Sequence, residues 1–217
     1  LVVLPEMPFY RWLAATKQVD QRAWETAVVA HERWLGRLPE LDAAVVASTR
    51  PVIRNGQNLN EGYFWEQAAG YYGVHHKYYL PDEEAYWEAT WYERGSGEDF
   101  EVVQTATGRM GFLICTEIWF NHHGRDYTNE DIELLVCPRA TPSSTTDKWI
   151  AGGRAAAVVS GAFCLSSNFE GTGGWIIEPE EGAVLGVTTA ERPFLTLDID
   201  LEAAHRAKNS YPRYVLD

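Results

Sequence analysis

The sequence predicts an α/β fold in a single domain that spans residues 1–217. Short apolar segments with strand character alternate with segments of helical periodicity along the chain. A chain of 217 residues is long enough for one sizeable core, and no repeat, low-complexity tract or linker divides it. Its apolar content of 46% and charged content of 23% are ordinary for a globular protein.

The first half of the chain is predicted to hold a strand, a helix and an antiparallel meander. The strand LVVL ends at Pro5-Glu6, and a helix runs from Asp20, a suitable N-cap, to about Leu38. There follow a buried strand AAVVASTRPVI, a turn-rich stretch RNGQNLN, and the strands EGYFWEQ and GYYGVHHKYYL joined by AAG. The polar, Gly-punctuated stretch PDEEAYWEATWYERGSGED is expected to be a long surface loop.

The second half continues the alternation. FEVVQTATGRMGFLICT predicts two strands joined by TATG, and a helix is expected from about Trp119 toward Tyr127. The strand IELLVCP and a helix TTDKWIAGGRAAAVVSG, capped by Thr145 or Thr146, come next. The remaining predicted elements are the strands AFCLSSN, GWIIEP, AVLGVT and PFLTLDIDL and a short helix EAAHRA.

Charge and cysteine content exclude several classes of protein. The net charge of −13 makes nucleic acid and anionic membranes unfavourable partners. No apolar run is long enough to span a membrane, and LVVLPEMPFY lacks the pattern of a signal peptide. Three widely spaced cysteines argue against a disulfide framework and for a reducing compartment, so we expect a cytoplasmic protein.

Cys115 follows the apolar strand GFLI and precedes a predicted helix. It could be a small core residue, half of a disulfide, a metal ligand or a nucleophile. Backbone N–H groups and a helix N-terminus at such a strand-to-helix turn would lower the thiol pKa and favour a thiolate. Cys137 and Cys164 lie in or at the end of apolar strands without an ionisable partner, so we expect them in the core.

Two charged residues also lie beside apolar segments, Glu6 after LVVLP and Lys77 in HHKYYLP. Each alone is readily explained as a surface charge at a strand end. A carboxylate, an ammonium and a thiol at the ends of separate strands could instead meet in one site. The carboxylate would accept the thiol proton and the ammonium would stabilise a developing oxyanion.

The ordered segments LVVLPE, HHKYYLP and GRMGFLICTEIWF resemble the three motifs of the carbon–nitrogen hydrolase, or nitrilase, superfamily. The resemblance covers essentially the whole chain. It implies a four-layer α-β-β-α sandwich, with Glu6 as catalytic glutamate, Lys77 as catalytic lysine and Cys115 as nucleophile. It further implies a site that needs no cofactor or metal and an assembly into homodimers or larger homo-oligomers.

The family's second glutamate corresponds to Glu88, with Glu84 as the alternative, in a loop whose charges could also be merely solvated. By the same resemblance the Thr116 N–H would bind the oxyanion and Trp119 would line the acyl pocket, although Trp119 could equally be core. The implied substrate is a small carboxamide or N-carbamoyl amine.

The sequence also departs from the family pattern. The strand and helix that normally precede the first motif are absent from this sequence, so we expect an exposed sheet edge and an N-terminally incomplete domain. TEIWF carries neither the arginines with which some N-carbamoyl-amino-acid hydrolases bind a carboxylate nor the Trp-Glu pair frequent in nitrilases.

Four alternatives remain at this point. The same site could hydrolyse nitriles, and a histidine could serve Cys115 as base in a Cys–His hydrolase. A catalytically inactive binding or assembly module is a third possibility. The fourth is a metal site built from histidines, Cys115 and Glu117, although no spacing typical of metal ligands supports it. Those histidines are His75, His76, His122 and His123.

Overall fold

The computed structural model describes residues 1–215, except for the side chain of residue 170, and contains two main β-sheets flanked by helices. The first sheet has four strands in the order β1-β2-β3-β4, of which β1 is parallel to β2 and the rest are antiparallel. Its strands are β1 (Val2–Val3), β2 (Val45–Arg54), β3 (Gln57–Glu66) and β4 (Gly70–His76). A small hairpin of β5 (Asp82–Glu83) and β6 (Tyr86–Trp87) follows.

The second sheet has six strands in the order β12-β11-β10-β9-β8-β7. The central strands β8, β9 and β10 are parallel, and the outer strands are antiparallel to their neighbours. These strands are β7 (Val103–Thr105), β8 (Gly108–Phe112), β9 (Leu134–Val136), β10 (Phe163–Ser166), β11 (Trp175–Ile177) and β12 (Val184–Val187). The helices are α1 (Gln21–Leu35), α2 (Glu88–Trp91), α3 (Asn121–Asn129), α4 (Thr146–Ser160) and α5 (Glu202–Lys208).

The packing of the core defines four layers. Between the sheets, Val45 and Phe64 of the first sheet meet Phe112 and Val136 of the second. The outer face of the second sheet packs against α3 and α4, and α1 covers the outer face of the first sheet. The predicted α-β-β-α sandwich is therefore confirmed, with both sheets buried because each has an apolar partner on each face.

Several local predictions are wrong. PFLTLDIDL forms no strand, and Phe194 within it is 90% exposed, because the alternating pattern finds no neighbouring strand to pair with. The turn-rich stretch shrinks to Asn55 and Gly56, since Gln57 already begins β3. The expected surface loop contains β5, β6 and α2, which buries Glu88 and Trp91.

Helix ends also differ from their predicted positions. α1 begins after Asp20, whose side chain caps the helix as predicted, but it ends at Leu35 and a separate 3₁₀ turn covers Leu38–Leu41. The helix expected from Trp119 is divided into a 3₁₀ helix, Cys115–Trp119, and α3. Neither predicted cap of α4 accepts a hydrogen bond from the helix; the hydroxyls of Thr145 and Thr146 donate backwards, to Pro142 O and Ser143 O.

The edge of the first sheet is formed by β1, and an apolar cavity of about 700 Å³ lies beside it between the two sheets. Leu134 and Trp175 of the second sheet contribute to its lining. Among the described residues, no helix combines the length and apolar composition needed to cross a membrane.

Candidate active site

Cys115 lies three residues beyond the end of β8, where the chain leaves the second sheet and starts a 3₁₀ helix. Its backbone is in the left-handed region, at φ 48°, which is uncommon for a residue with a side chain. The Cys115 N–H donates to Pro138 O at 3.1 Å, and the residue is 4% exposed. Such a backbone costs about 1–3 kcal/mol and persists only where the surrounding packing enforces it, as occurs at many functional sites.

Glu6, Lys77 and Glu88 meet in one buried network. Lys77 Nζ lies 2.8 Å from Glu6 Oε1 and 2.5 Å from Glu88 Oε2, and all three side chains are at most 1% exposed. Asn60 Nδ2 donates to Glu6 Oε1 at 2.8 Å, and the Tyr92 hydroxyl donates to Glu88. Glu6 Oε2 has no hydrogen-bond partner in the described part of the chain, so one carboxylate oxygen remains free to accept a proton.

Backbone contacts explain how the chain delivers these side chains. The Glu6 N–H donates to Arg139 O at 3.3 Å, which fastens the end of β1 to the chain beyond β9. The Lys77 N–H donates to Asn60 O at 2.9 Å, and Lys77 O accepts from Gly95 at 3.0 Å. A Cβ at Gly95 would lie 2.3 Å from His76 O, so only glycine permits this crossing beside Lys77.

The charges in the network bear directly on the thiol. Burial and the Glu6 carboxylate raise the pKa of Cys115 to about 12, and Lys77 opposes them. The expectation of a lowered thiol pKa is therefore wrong. Burial in an apolar site and a nearby carboxylate outweigh the dipole of a short 3₁₀ helix. The resting thiol is protonated and needs a base to become a nucleophile.

The pKa values of Glu88 and Lys77 are also shifted by burial and by the neighbouring charges. Burial raises the pKa of Glu88 to about 7, against the opposing effect of Lys77, and the neighbouring Glu6 raises it further. For Lys77, burial disfavours the ammonium, but Glu6 and Glu88 together hold its pKa well above the usual range. Lys77 is thus a permanent cation, whereas Glu88 titrates near neutral pH.

The remaining predicted residues occupy different surroundings. Glu84 is exposed in the β5–β6 turn, and so only Glu88 joins the buried network. Thr116 directly follows Cys115, and its N–H makes no hydrogen bond within the described residues. Trp119 is 38% exposed, and its ring lies 5.4 Å from that of Trp149 on α4. Trp119 is therefore a surface aromatic rather than part of the core.

Sequence reasoning missed Glu117 as a structural link. Its fully buried carboxylate accepts from the Tyr78 N–H at 2.7 Å and the Ile114 N–H at 2.8 Å, and His75 Nε2 lies 2.8 Å away. Glu117 thereby joins the residue after Lys77 to the residue before Cys115. A carboxylate two positions after a candidate nucleophile was the available signal, but the tertiary partners give it its role.

Arg139 is a second missed residue. Its guanidinium is fully buried near the thiol, donates to Ser166 Oγ and Thr141 Oγ1 at 2.8 Å each, and also donates to Gly173 O. It lies 3.9 Å from the centroid of the Trp175 ring. Each of the three guanidinium nitrogens therefore donates a hydrogen bond to another group of the protein.

The histidines do not assemble into a metal site. Within residues 1–215, no three His, Cys, Asp or Glu side chains are arranged to hold a metal ion. The Nδ1 atoms of His75 and His76 both lie about 3 Å from Asp99. His122 and His123 lie elsewhere, beside the Tyr79 hydroxyl.

Residues 1–209 match the family model for carbon–nitrogen hydrolases, and the chain therefore belongs to the carbon–nitrogen hydrolase family. Solved structures share its fold. A carbon–nitrogen hydrolase from Helicobacter pylori G27 is 19% identical with a TM-score of 0.85, over 98% of this chain and 81% of that one. A CN-hydrolase superfamily protein from Xanthomonas campestris is 16% identical with a TM-score of 0.71, over 97% of this chain and 82% of that one.

An amidase from Nesterenkonia sp. AN1 is also similar, at 16% identity and a TM-score of 0.66 over 85% of this chain and 74% of that one. That amidase was studied as a mutant in which acrylamide had undergone Michael addition at the active-site cysteine. No curated protein matches the chain. At these identities the structures establish the fold, and the reaction has to be argued from the site itself.

Proposed function

We propose that the protein hydrolyses the carbon–nitrogen bond of a small carboxamide or N-carbamoyl amine through a thioester on Cys115. The observation that carries the proposal is the free Glu6 Oε2 in a buried network whose charges act on the Cys115 thiol. A protonated thiol beside an unused carboxylate oxygen is the arrangement that general-base activation of a nucleophile requires.

In the first half of the reaction, Glu6 takes the thiol proton as Cys115 Sγ forms a bond to the carbonyl carbon. The carbonyl oxygen becomes an oxyanion, which the Lys77 ammonium and the Thr116 N–H stabilise. Glu6 then gives its proton to the nitrogen, the C–N bond breaks, and amine or ammonia leaves. Thr116 suits this role because its N–H has no other acceptor in the described structure.

In the second half, water attacks the thioester while Glu6 again serves as base. The C–S bond breaks, the proton returns to the thiol, and the acid is released. Glu88 is the second carboxylate that holds Lys77 Nζ, and its proton near neutral pH limits the negative charge around the ammonium. No step in this sequence calls for a cofactor or metal.

The substrate class follows from the groups near the thiol. Cys115 is followed by Thr116 rather than by an arginine, and the nitrogens of Arg139 are engaged by the protein. We therefore propose an uncharged or amine-bearing substrate tail rather than a carboxylate. Trp119 is proposed to line the acyl side of the pocket.

The test compares matched amide, N-carbamoyl and nitrile substrates by ammonia release, with Cys115→Ala as the inactive control. The proposal expects turnover of the amide or N-carbamoyl compound and little turnover of the nitrile. Fastest turnover of the nitrile would overturn the substrate assignment, and an unchanged rate in Cys115→Ala would overturn the mechanism. Assembly into homo-oligomers stays a prediction, which sedimentation of the purified protein would test.

A further inference from the structure

His75 lies between two carboxylates in the interior of the protein. Its ring is 2% exposed, with Nε2 lying 2.8 Å from Glu117 Oε2 and Nδ1 lying 3.0 Å from Asp99 Oδ1. The Asp99 carbonyl oxygen is also close to Nδ1, at 3.1 Å. Both ring nitrogens therefore face oxygen acceptors.

This geometry determines the protonation state of the ring. A neutral histidine has one nitrogen that carries no proton, and in this site its lone pair would face a carboxylate oxygen. Only the doubly protonated imidazolium donates to Glu117 and Asp99 at once. Burial opposes the charged ring, but Glu117 and Asp99 outweigh it and raise the pKa of His75 to about 10.

Glu117 connects the His75 imidazolium to the candidate active site. Its carboxylate is fully buried and accepts the N–H groups of Tyr78 and Ile114, the neighbours of Lys77 and Cys115 in sequence. An ionised carboxylate binds both N–H groups strongly, whereas a buried carboxylate without a counter-charge takes up a proton and becomes a weaker acceptor. The link between the two segments thus depends on a cation beside Glu117.

We propose that His75 is a positioning residue whose imidazolium keeps Glu117 ionised, so that Glu117 holds the segments carrying Lys77 and Cys115 in fixed register. The inference rests on the function proposed above, because it assigns importance to the placement of Lys77 against the Cys115 thiol. His75 itself touches neither of these side chains. Its effect passes through Glu117 and the two backbone N–H groups.

Other ionisable groups around the ring have to be considered in any pH experiment. His76 shares Asp99, whose Oδ2 lies 2.9 Å from His76 Nδ1. His123 stacks on Phe100, and the Phe100 ring centroid lies 4.4 Å from that of His75. Besides Glu117 and Asp99, the titratable groups that interact with His75 or with these two carboxylates include His76, His123, Tyr79 and Tyr127.

The test compares His75→Gln with His76→Gln. Glutamine at position 75 can donate one hydrogen bond but supplies no charge, whereas His76 shares Asp99 without touching Glu117. We expect His75→Gln to lower kcat at least about tenfold with KM nearly unchanged, since small misplacements of reacting groups cost about that much or more. Its activity should also fall below that of the wild type on the acid side of neutrality, because Glu117 has lost the cation beside it, and His76→Gln should stay near the wild type in both respects.

The rate at which iodoacetamide alkylates Cys115, followed by peptide mapping, reports on the placement of Cys115 relative to Lys77 and requires no substrate. Slower alkylation of Cys115 in His75→Gln than in the wild type supports the inference, whether or not the wild type hydrolyses carboxamides. A wild type that hydrolyses no carboxamide would overturn only the proposed function. Wild-type values of kcat, pH profile and alkylation rate in a folded His75→Gln protein would overturn the inference.

A measurement on the wild type covers the case in which His75→Gln does not fold. In protein labelled with ¹⁵N-histidine, the His75 ring should show two protonated nitrogens at about pH 8, where an unperturbed histidine is neutral. The ring can be assigned through its contact with Phe100. A neutral His75 ring at that pH would overturn the inference.

Discussion

Replacing Lys77 by methionine removes the only cation of the Glu6–Lys77–Glu88 network while retaining most of the side chain's volume. The two Nζ–O contacts of 2.8 and 2.5 Å correspond to Coulomb attractions of about 6 and about 7 kcal/mol at an effective dielectric constant of about 20. Desolvation of the ions cancels much of this attraction. Removing one partner of a buried ion pair costs about 3–5 kcal/mol because its counter-charge is left buried, and we expect a loss of that size near pH 8.

The loss should depend on pH in a definite direction. Burial already raises the pKa of Glu88 against the opposing effect of Lys77, so without Lys77 this carboxyl group holds its proton still more tightly in the folded chain, and folding gains stability as pH falls. The difference from the wild type should therefore shrink by at least about 1.4 kcal/mol, equivalent to one pKa unit, between about pH 8 and pH 5.5. Urea unfolding followed by tryptophan fluorescence measures this difference, and the chain has nine tryptophans to report it.

Lys148→Met is the matched control, because Lys148 is exposed and its Nζ lies 5.9 Å from the Trp119 ring centroid. It should change stability by no more than about 0.5 kcal/mol at either pH. A Lys77→Met protein that loses under about 1 kcal/mol near pH 8, or whose loss does not change with pH, would refute the reasoning.

Four further predictions concern the same network. Iodoacetamide should label Cys115 fastest near neutral pH, and Cys115→Ala should abolish turnover, whereas Cys137→Ala and Cys164→Ala should only perturb packing; a turnover-competent Cys115→Ala protein would contradict this. Dialysis against EDTA should leave activity and melting temperature unchanged, and activity lost with a stoichiometric metal would favour a metalloenzyme. Lys77→Arg should lower the rate at least about a hundredfold, because a planar fork replaces a compact ammonium in a tight site, and a mild effect in a rate assay would argue against that role. The raised pKa of Glu88 contributes stability that is present below the ordinary pKa of 4.5 and is lost as pH rises through about 7. The free energy of unfolding of Glu88→Gln, measured with urea, should therefore change less with pH across this window than that of the wild type. The same pH dependence in both proteins would contradict this.

The alternation of strand and helix segments predicted the α/β class, whereas the four-layer sandwich and a shared site for Glu6 and Lys77 were implied by the resemblance of three motifs to the family. Apolar runs mark strands that must be buried, and a charged residue at the end of such a run lies at an edge of the sheet, where sites form. The structure brings these two side chains together with Glu88 around the Cys115 thiol. Their catalytic roles stay predictions.

What could not be predicted depends on partners distant in sequence. Glu117 acquires its role from His75 on β4 and from Tyr78 just beyond that strand, about 40 residues away in sequence, and no local pattern reveals such contacts. The predicted direction of the Cys115 pKa shift was wrong for the same reason. Burial of the thiol and its proximity to Glu6 depend on tertiary packing, which the sequence of a strand-to-helix turn does not reveal. PFLTLDIDL alternates like a strand, yet strand formation also requires a neighbour to pair with.

The central claim is that Cys115 forms a covalent thioester with the substrate, and acid-quenched mass spectrometry tests it most directly. The protein is mixed with a turned-over carboxamide, quenched within the first turnovers, digested and mapped. The peptide containing Cys115 should gain the mass of the acyl group, hydroxylamine should remove it, and the peptides with Cys137 and Cys164 should stay unmodified. Steady turnover with no adduct on Cys115, or with an adduct on another residue, would contradict it.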